Sequence, residues 1–413
     1  MTMIEKNPSR SHWLDSWHVN PSANREYDFI DGLRGVAILM VLCCHHLYVN
    51  PKSGPAILFL GQLFGTGGHG VELFFTLSGF LISWPFWKRK FAGAERAVPT
   101  GYARRRFWKI YPPLALSVII FTPIYIFLHK DWSYLPIAAQ WLAGIAFILP
   151  VSGKFNPVMW TLVIEAQFYM VLPLIFLCLK RISPKSSLWI ITLLFLVVPA
   201  VFRALSGLSA SFFPDINSHF PSTLDAFCLG ILVAGLDSQG SLKQGWAVLG
   251  KGGVVLWPMG LLLLAWMDTY PEYHSPALVT AENWLEKIGS GCLLCYVANP
   301  QLPIARLLCA PWLRWCGIVS YEWYLFHQPI ALWSRGIFGP AGGNPVKYAV
   351  IVGGSFLFST ILSALVYRFF SLPILKYGRG NRNLKLEGRE EKSEKLKAEA
   401  LRDDAGAEAG SIN

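Results

Sequence analysis

Ten apolar stretches, each long enough or nearly long enough to cross a lipid bilayer, follow one another along this chain with short polar connections between them. They lie at roughly 29–49, 68–87, 110–128, 158–179, 188–205, 222–236, 252–267, 286–299, 317–335 and 347–371. A helix rises 1.5 Å per residue and the hydrocarbon core is about 30 Å thick, so a crossing takes about 20 residues. The runs 222–236 and 286–299 are therefore marginal. A further stretch, 136–150 (PIAAQWLAGIAFILP), reads as re-entrant or interfacial, because counting it as a crossing would invert every later connection. Inside lipid the backbone must satisfy its own hydrogen bonds, which makes helices of such runs.

Composition agrees with that reading. Hydrophobic residues make up 53% of the 413 and charged residues only 15%, where globular proteins carry about 25% charge. Such a chain cannot bury its apolar residues in a core and still coat a surface with charge. It is expected to be an all-α polytopic protein of the cell membrane, whose 17 tryptophans anchor helix ends at the interfaces. A disordered body, a disulfide scaffold and a nucleic-acid-binding domain are disfavoured. The net charge of +11 has another origin.

Between Lys88 and Lys109 stand Lys88, Arg89, Lys90, Arg96, Arg104, Arg105, Arg106 and Lys109 against the single acid Glu95. Lys180, Arg181 and Lys185, then Lys243 with Lys251, then Arg306 with Arg314, fall at alternate connections, whereas 207–221 and 338–346 carry few or no basic residues. Ten spans with both termini cytoplasmic satisfy the excess of Lys and Arg on the inner side. Residues 1–27 lack the apolar core of a cleaved signal peptide and read as an exposed, irregular cytoplasmic leader. Residues 28–373 form the membrane domain, and 374–413 a charged cytoplasmic tail dispensable for chemistry.

The eight cysteines lie in or beside apolar segments, where a thiol behaves as a small hydrophobe. The Cys292-x-x-Cys295 pair has no second such pair and no close histidine, so no metal site is expected. Neither an internal repeat nor a Gly-rich phosphate loop is evident.

Ionisable groups inside spans are costly and are candidates for function by default. The first run, DFIDGLRGVAILMVLCCHHLYV, holds Arg34 and, eleven residues on, His45. Eleven residues turn a helix through about 1100°, which puts both side chains on one face about 16 Å apart. His46 points about 100° away. The second run, GTGGHGVELFFTLSGFLISW, holds Glu72 and Ser78 among glycines that allow close helix packing. Arg104, Arg105, Arg106 and Lys109 precede Tyr111-Pro112-Pro113. Orientation of the bundle would explain their charge, and so would a phosphate-bearing ligand, which such guanidiniums suit. Glu165 and Tyr169 stand four apart in WTLVIEAQFY, on one helix face. Ser320, Glu322, Tyr324 and His327 stand together in SYEWYLFHQP.

These segments together resemble acyltransferase family 3, the integral-membrane acyltransferases that O-acylate glycans and some small molecules. The resemblance runs in order through DGLRGVAILMVLCCHH, GVELFFTLSGFLI, RRFWKIYPPL, WTLVIEAQFYMVLP and SYEWYLFHQPI, and covers about 29–373. Arg34 and His45 reproduce the family's arginine and histidine with ten residues between them. Glu72 stands where the family more often has Asp, Lys109 where it has arginine, and Ala166 where a second Glu is common.

The resemblance implies transfer of an acyl group, acetyl in the first place, from acyl-coenzyme A to a hydroxyl of a glycan or lipid-linked sugar. Acyl-CoA would be a co-substrate, and no tightly bound cofactor is implied. A neutral imidazole is the best general base near pH 7, and His45 takes that role, with Glu165 or Glu72 orienting it. Arg34, Arg104, Arg105, Arg106 and Lys109 would hold the donor's anionic part. Ser78, Tyr169, Ser320, Tyr324 and His327 are further candidates. No soluble esterase-like domain follows the membrane part, so any partner needed to complete transfer would be another chain. The alternative reading is a proton-coupled transporter or flippase that uses His45, Glu72 and Glu165 as a relay.

Overall fold

A computed structural model describes residues 12–18, 28–47, 54–144, 147, 156–207, 220–240, 246–270, 284, 287–291, 294, 307–338 and 345–379. Among these there is helix and no strand. The helices are α1 (His12–Asp15), α2 (Asp28–His46), α3 (Pro55–Gly65), α4 (Gly70–Phe91), α5 (Tyr102–His129), α6 (Tyr134–Leu142) and α7 (Trp160–Cys178). Then come α8 (Pro184–Gly207), α9 (Phe220–Ser238), α10 (Trp246–Thr269), α11 (Pro311–Ile318), α12 (Ser320–Phe338), α13 (Pro345–Val366) and, beyond a π-helical turn at Tyr367–Ser371, α14 (Leu372–Arg379).

Six helical segments among the described residues are long and apolar enough to cross a membrane: Phe29–His46, Tyr102–His129, Pro157–Cys178, Pro184–Arg203, Phe220–Ser238 and Val346–Gly378. The protein is a multi-pass integral membrane protein. The marginal run 222–236 sits within the 19-residue α9. The runs 68–87 and 317–335 become α4 and α12, whose polar side chains keep them out of the six. Most of 286–299 lies outside the described residues, as do Cys292 and Lys243. The stretch 136–150 contributes α6, whose 9 residues are too few for a crossing.

The chain forms two compact units, residues 1–74 with 250–373, and residues 75–249 with 374–413. In the first, α2 lies against α11 with backbone touching backbone. A Cβ added at Gly317 would come within 1.8 Å of the Asp31 carbonyl oxygen, and one at Gly35 within 2.1 Å of that of Leu313. Leu33, Ile38 and Leu42 of α2 are fully buried. Farther along, the Trp323 Nε1–H of α12 donates to Ser359 Oγ of α13 at 3.3 Å.

The leader departs from expectation. Leu14 of α1 is buried, and Trp17 stacks on Tyr367 at 6.0 Å and meets the Trp315 ring edge-on at 5.7 Å. The Tyr367 hydroxyl donates to the Trp17 carbonyl at 2.8 Å and Arg368 donates to that of Ser16. Aromatic area outweighs the local polarity, so Leu14 and Trp17 dock this stretch, while Trp13 and Ser16 stay exposed. Residues 1–11 and 19–27 lie outside the described ones.

In the second unit α4 and α9 meet closely. Gly230 faces the Thr76 carbonyl oxygen, 1.9 Å from where a Cβ would stand, and Thr76 Oγ1 donates to the Ala226 carbonyl at 3.0 Å. Phe227 stacks between Phe75 (4.8 Å) and Phe168 (4.2 Å). Between α8 and α9, Arg203 Nη2 and Asp225 Oδ2 pair at 2.6 Å. Lys90, beyond the apolar part of α4, donates to the Leu179 and Ile182 carbonyls at 2.7 and 3.0 Å, which satisfies the end of α7. The first residues of the expected tail are helical too. Gly378 sits on the Trp108 ring, where a Cβ would fall 2.6 Å from Cγ, and Tyr377 meets the same ring edge-on at 5.8 Å. Residues 380–413 lie outside the described ones.

Candidate functional site

Polar side chains gather at one place in each unit. In the first, α2 and α12 run side by side in the same direction. Arg34 Nη2 donates to Ser320 Oγ at 2.9 Å near the start of both helices. Toward their ends, His45 Nδ1 and His327 Nε2 lie 3.0 Å apart. The common face expected of Arg34 and His45 is thus the face toward α12. The pairs are eleven residues apart on α2 and seven on α12, a mismatch of about 6 Å that the long arginine side chain takes up.

His327 is fully buried. Its Nδ1 lies 3.0 Å from the Trp323 carbonyl oxygen and 2.9 Å from that of Tyr324. His45 retains partial exposure, and its own carbonyl accepts a hydrogen bond from Arg335 Nη2. That bond satisfies one of the last carbonyls of α2 and puts a cation at the negative end of the helix. His46 is buried, with Nδ1 3.1 Å from the Leu42 carbonyl and its ring 6.1 Å from that of His327. Glu322 is completely buried on the same helix, as is nearly all of Tyr324, whose ring lies 5.7 Å from that of His327. Glu72 lies 3.8 Å from His69, and both are about a quarter exposed. The group facing His45 Nδ1 is the His327 imidazole.

In the second unit Ser78 Oγ donates to Glu165 Oε1 at 2.7 Å, and the Tyr169 hydroxyl, four residues on, donates to the same oxygen. The Tyr102 hydroxyl donates to the Tyr169 carbonyl at 3.0 Å. The Arg106 guanidinium lies over both rings, 5.5 Å from Tyr169 and 5.9 Å from Tyr102. These groups border a cavity of about 1000 Å³ at the start of α5, walled by Arg104, Arg106, Tyr102, Tyr169, Ile110 and Met170 among others. Arg106 Nε is buried and has no hydrogen-bond partner among the described residues. Helix N-terminal N–H groups and guanidiniums together favour an anion. Arg105 and Lys109 are not on the wall, and Arg105 Nη1 donates instead to the Thr100 carbonyl at 2.6 Å.

Three groups in these clusters, His46, Arg335 and Tyr102, are absent from the expected set. Arg335 follows His327 by eight residues, which on a helix is within about 80° of the same face. That spacing could have found it. Nothing in the sequence marks Tyr102.

Relatives similar to this chain include three acyltransferases. The acyltransferase MdmB of Streptomyces mycarofaciens is 27% identical over 48% of this chain and 48% of its own length. The O-acetyltransferase OatA of Staphylococcus aureus is 22% identical over 84% of this chain and 57% of its own length. The peptidoglycan O-acetyltransferase OatA of Listeria monocytogenes is 24% identical over 84% and 56%. The chain thus spans about half the length of the curated relatives it matches. No solved structure matches. The acyltransferase domain family matches residues 27–368, a stretch that includes both polar clusters, and the chain therefore belongs to acyltransferase family 3.

Proposed function

We propose that this protein is a membrane-bound O-acyltransferase that moves an acetyl group from acetyl-coenzyme A to a hydroxyl of a cell-surface carbohydrate, with His45 as general base. The observation that carries the reading is the His45 imidazole, partly exposed at the end of α2 and tethered to His327 at 3.0 Å. An imidazole so held removes the hydroxyl proton as the oxygen attacks the thioester carbonyl. The tetrahedral intermediate then expels the coenzyme thiolate, the C–S bond breaks, and the imidazolium returns its proton to sulfur. Carbohydrate acceptors are supported by the O-acetyltransferases of S. aureus and L. monocytogenes, the second named for peptidoglycan.

The donor's phosphates fit the cavity at the start of α5. There Arg104 and Arg106 supply charge, and the buried Arg106 Nε–H, which has no hydrogen-bond partner among the described residues, supplies a donor. The apolar walls suit the uncharged arm. Arg34, tied to Ser320, braces α2 against α12. Any partner needed to complete the transfer would be another chain.

Purified full-length protein in nanodiscs, given radiolabelled acetyl-CoA and glycan acceptors, tests the reading. Wild-type protein should form labelled O-acetyl ester, and His45→Ala should form none while retaining coenzyme binding and expression. Ester formation at a near-normal rate by His45→Ala would remove His45 from the mechanism. Proton-coupled flux with no ester formed would favour a transporter instead.

A further inference from the structure

A base is useful only if the nitrogen facing the substrate carries a lone pair. A neutral imidazole has one N–H and one lone pair, and the hydrogen bonds around it decide which nitrogen has which. His327 is decided by its own helix. Its Nδ1 lies 3.0 Å from the Trp323 carbonyl and 2.9 Å from the Tyr324 carbonyl. Carbonyl oxygens only accept, so the hydrogen of His327 is on Nδ1 and its Nε2 is an acceptor. That acceptor faces His45 Nδ1 at 3.0 Å. The hydrogen between the two rings therefore belongs to His45 Nδ1, and the lone pair of His45 is left on Nε2.

We propose that His327 is a positioning residue: two main-chain carbonyls of α12 fix its tautomer, and it fixes that of His45, so that Nε2 of His45 is the nitrogen that takes the acceptor's proton. The proposal rests on the reading of His45 as the base. It assigns unlike roles to two like side chains, and burial agrees with the division. His327 is 0% exposed, whereas His45 keeps contact with the outside of the unit. In a Ser-His-Asp triad an aspartate sets the histidine's tautomer; here a second imidazole does so, and the carboxylates expected for that task are not needed for it. As His45 gains a proton at Nε2, its Nδ1–H stays bonded to His327 and the ring keeps its aim.

Substitutions at His327 that share volume but differ in hydrogen bonding test this. His327→Gln places an amide oxygen near the former Nε2 and can accept from His45 Nδ1–H. His327→Met fills the space and accepts almost nothing. Full-length Met variant should lose about a hundredfold or more in kcat, the scale of a mispositioned general base, with KM for acetyl-CoA unchanged. Gln variant should stay within about tenfold of wild type by the same scale. A packing role alone would leave the two variants equal, and that result overturns the proposal.

The second readout does not depend on turnover. Nitrogen-15 NMR of histidine-labelled protein in lipid should find the His45 hydrogen on Nδ1 in wild type and in the Gln variant, and redistributed toward Nε2 in the Met variant. A wild-type His45 that carries its hydrogen on Nε2 overturns the proposal even if acyl transfer is observed. A wild-type Nδ1–H lost in the Met variant upholds the tautomer control even if His45→Ala shows that another group is the base.

Discussion

Arg105 donates to the Thr100 carbonyl, whereas Arg106 lies across Tyr102 and Tyr169 on the cavity wall, its Nε–H without a hydrogen-bond partner among the described residues. These neighbours should therefore respond differently to the same change. A charge-assisted hydrogen bond is worth about 1.5–3 kcal/mol, so Arg106→Gln should raise KM for acetyl-CoA by about tenfold or more. Arg105→Gln should leave KM within a few-fold and instead loosen the start of α5. Steady-state kinetics on the two variants, with thermal unfolding alongside, separates them; equal KM values would return both charges to the role of orienting the chain. At this scale the sequence spoke clearly wherever a partner was close in number. Arg34 and His45 share a face at eleven residues, and Glu165 and Tyr169 at four, because helix geometry alone decides both. It was silent about His327 and His45, which are 282 residues apart, and about Ser78 reaching Glu165. Hydropathy says that a helix exists and not which helix lies beside it.

Helices in this protein are fitted to one another through glycine, and that defines what each element tolerates. Gly317→Val would push side-chain carbon into the Asp31 carbonyl, and Gly230→Val into that of Thr76. Both are backbone atoms that cannot swing aside. Each variant should lose about 1–3 kcal/mol or fail to fold, read as a fall in Tm in detergent. Gly336→Ala, with open space at the Cβ, should leave Tm within about a degree. Glycines in apolar runs were visible in the sequence, but which of them bear a contact depends on the crossing of two helices. The tail divides in the same way. Removal of residues 380–413 should leave membrane insertion and activity intact, whereas removal from residue 374 onward strips Tyr377 and Gly378 from Trp108 and should destabilise the start of α5. Comparison of the two truncations by expression level and Tm checks this; equal loss would mean that the charged stretch itself is needed.

For the whole molecule, the sequence identified a helical membrane protein from apolar runs alone. The number of crossings was harder to read, because α4 and α12 carry the very groups that bear the polar clusters, Glu72 and Ser78 on one, Ser320, Glu322, His327 and Arg335 on the other. Hydropathy penalises a span for its functional side chains. α2 and α12 run in the same direction. If the start of α2 faces the cytoplasm, as the basic connections of the sequence predict, His45 lies about 16 Å nearer the outer face than Arg34, and the proposed transfer would deliver the acetyl group there. Sealed vesicles of known orientation should yield ester when acetyl-CoA is on the cytoplasmic side and acceptor on the other. Product only when both share the cytoplasmic side would place the base near the inner surface and overturn this sidedness.

The way the first unit is assembled from two widely separated stretches of the chain has a consequence for how the protein is made. A ribosome delivers residues 75–249 as one uninterrupted piece, but residues 1–74 must wait for 250–373 to complete their unit. His45 emerges 282 residues before His327, a delay of roughly 15–60 s at 5–20 residues per second. Throughout that interval α2 lacks α11, the carbonyl contact at Gly317 and the strap between Trp17 and Tyr367. Quality control during insertion therefore has a long window in which an unfinished chain exposes the polar face of its first helix, and a ribosome stalled before α12 leaves behind a histidine without the ring that sets its hydrogen.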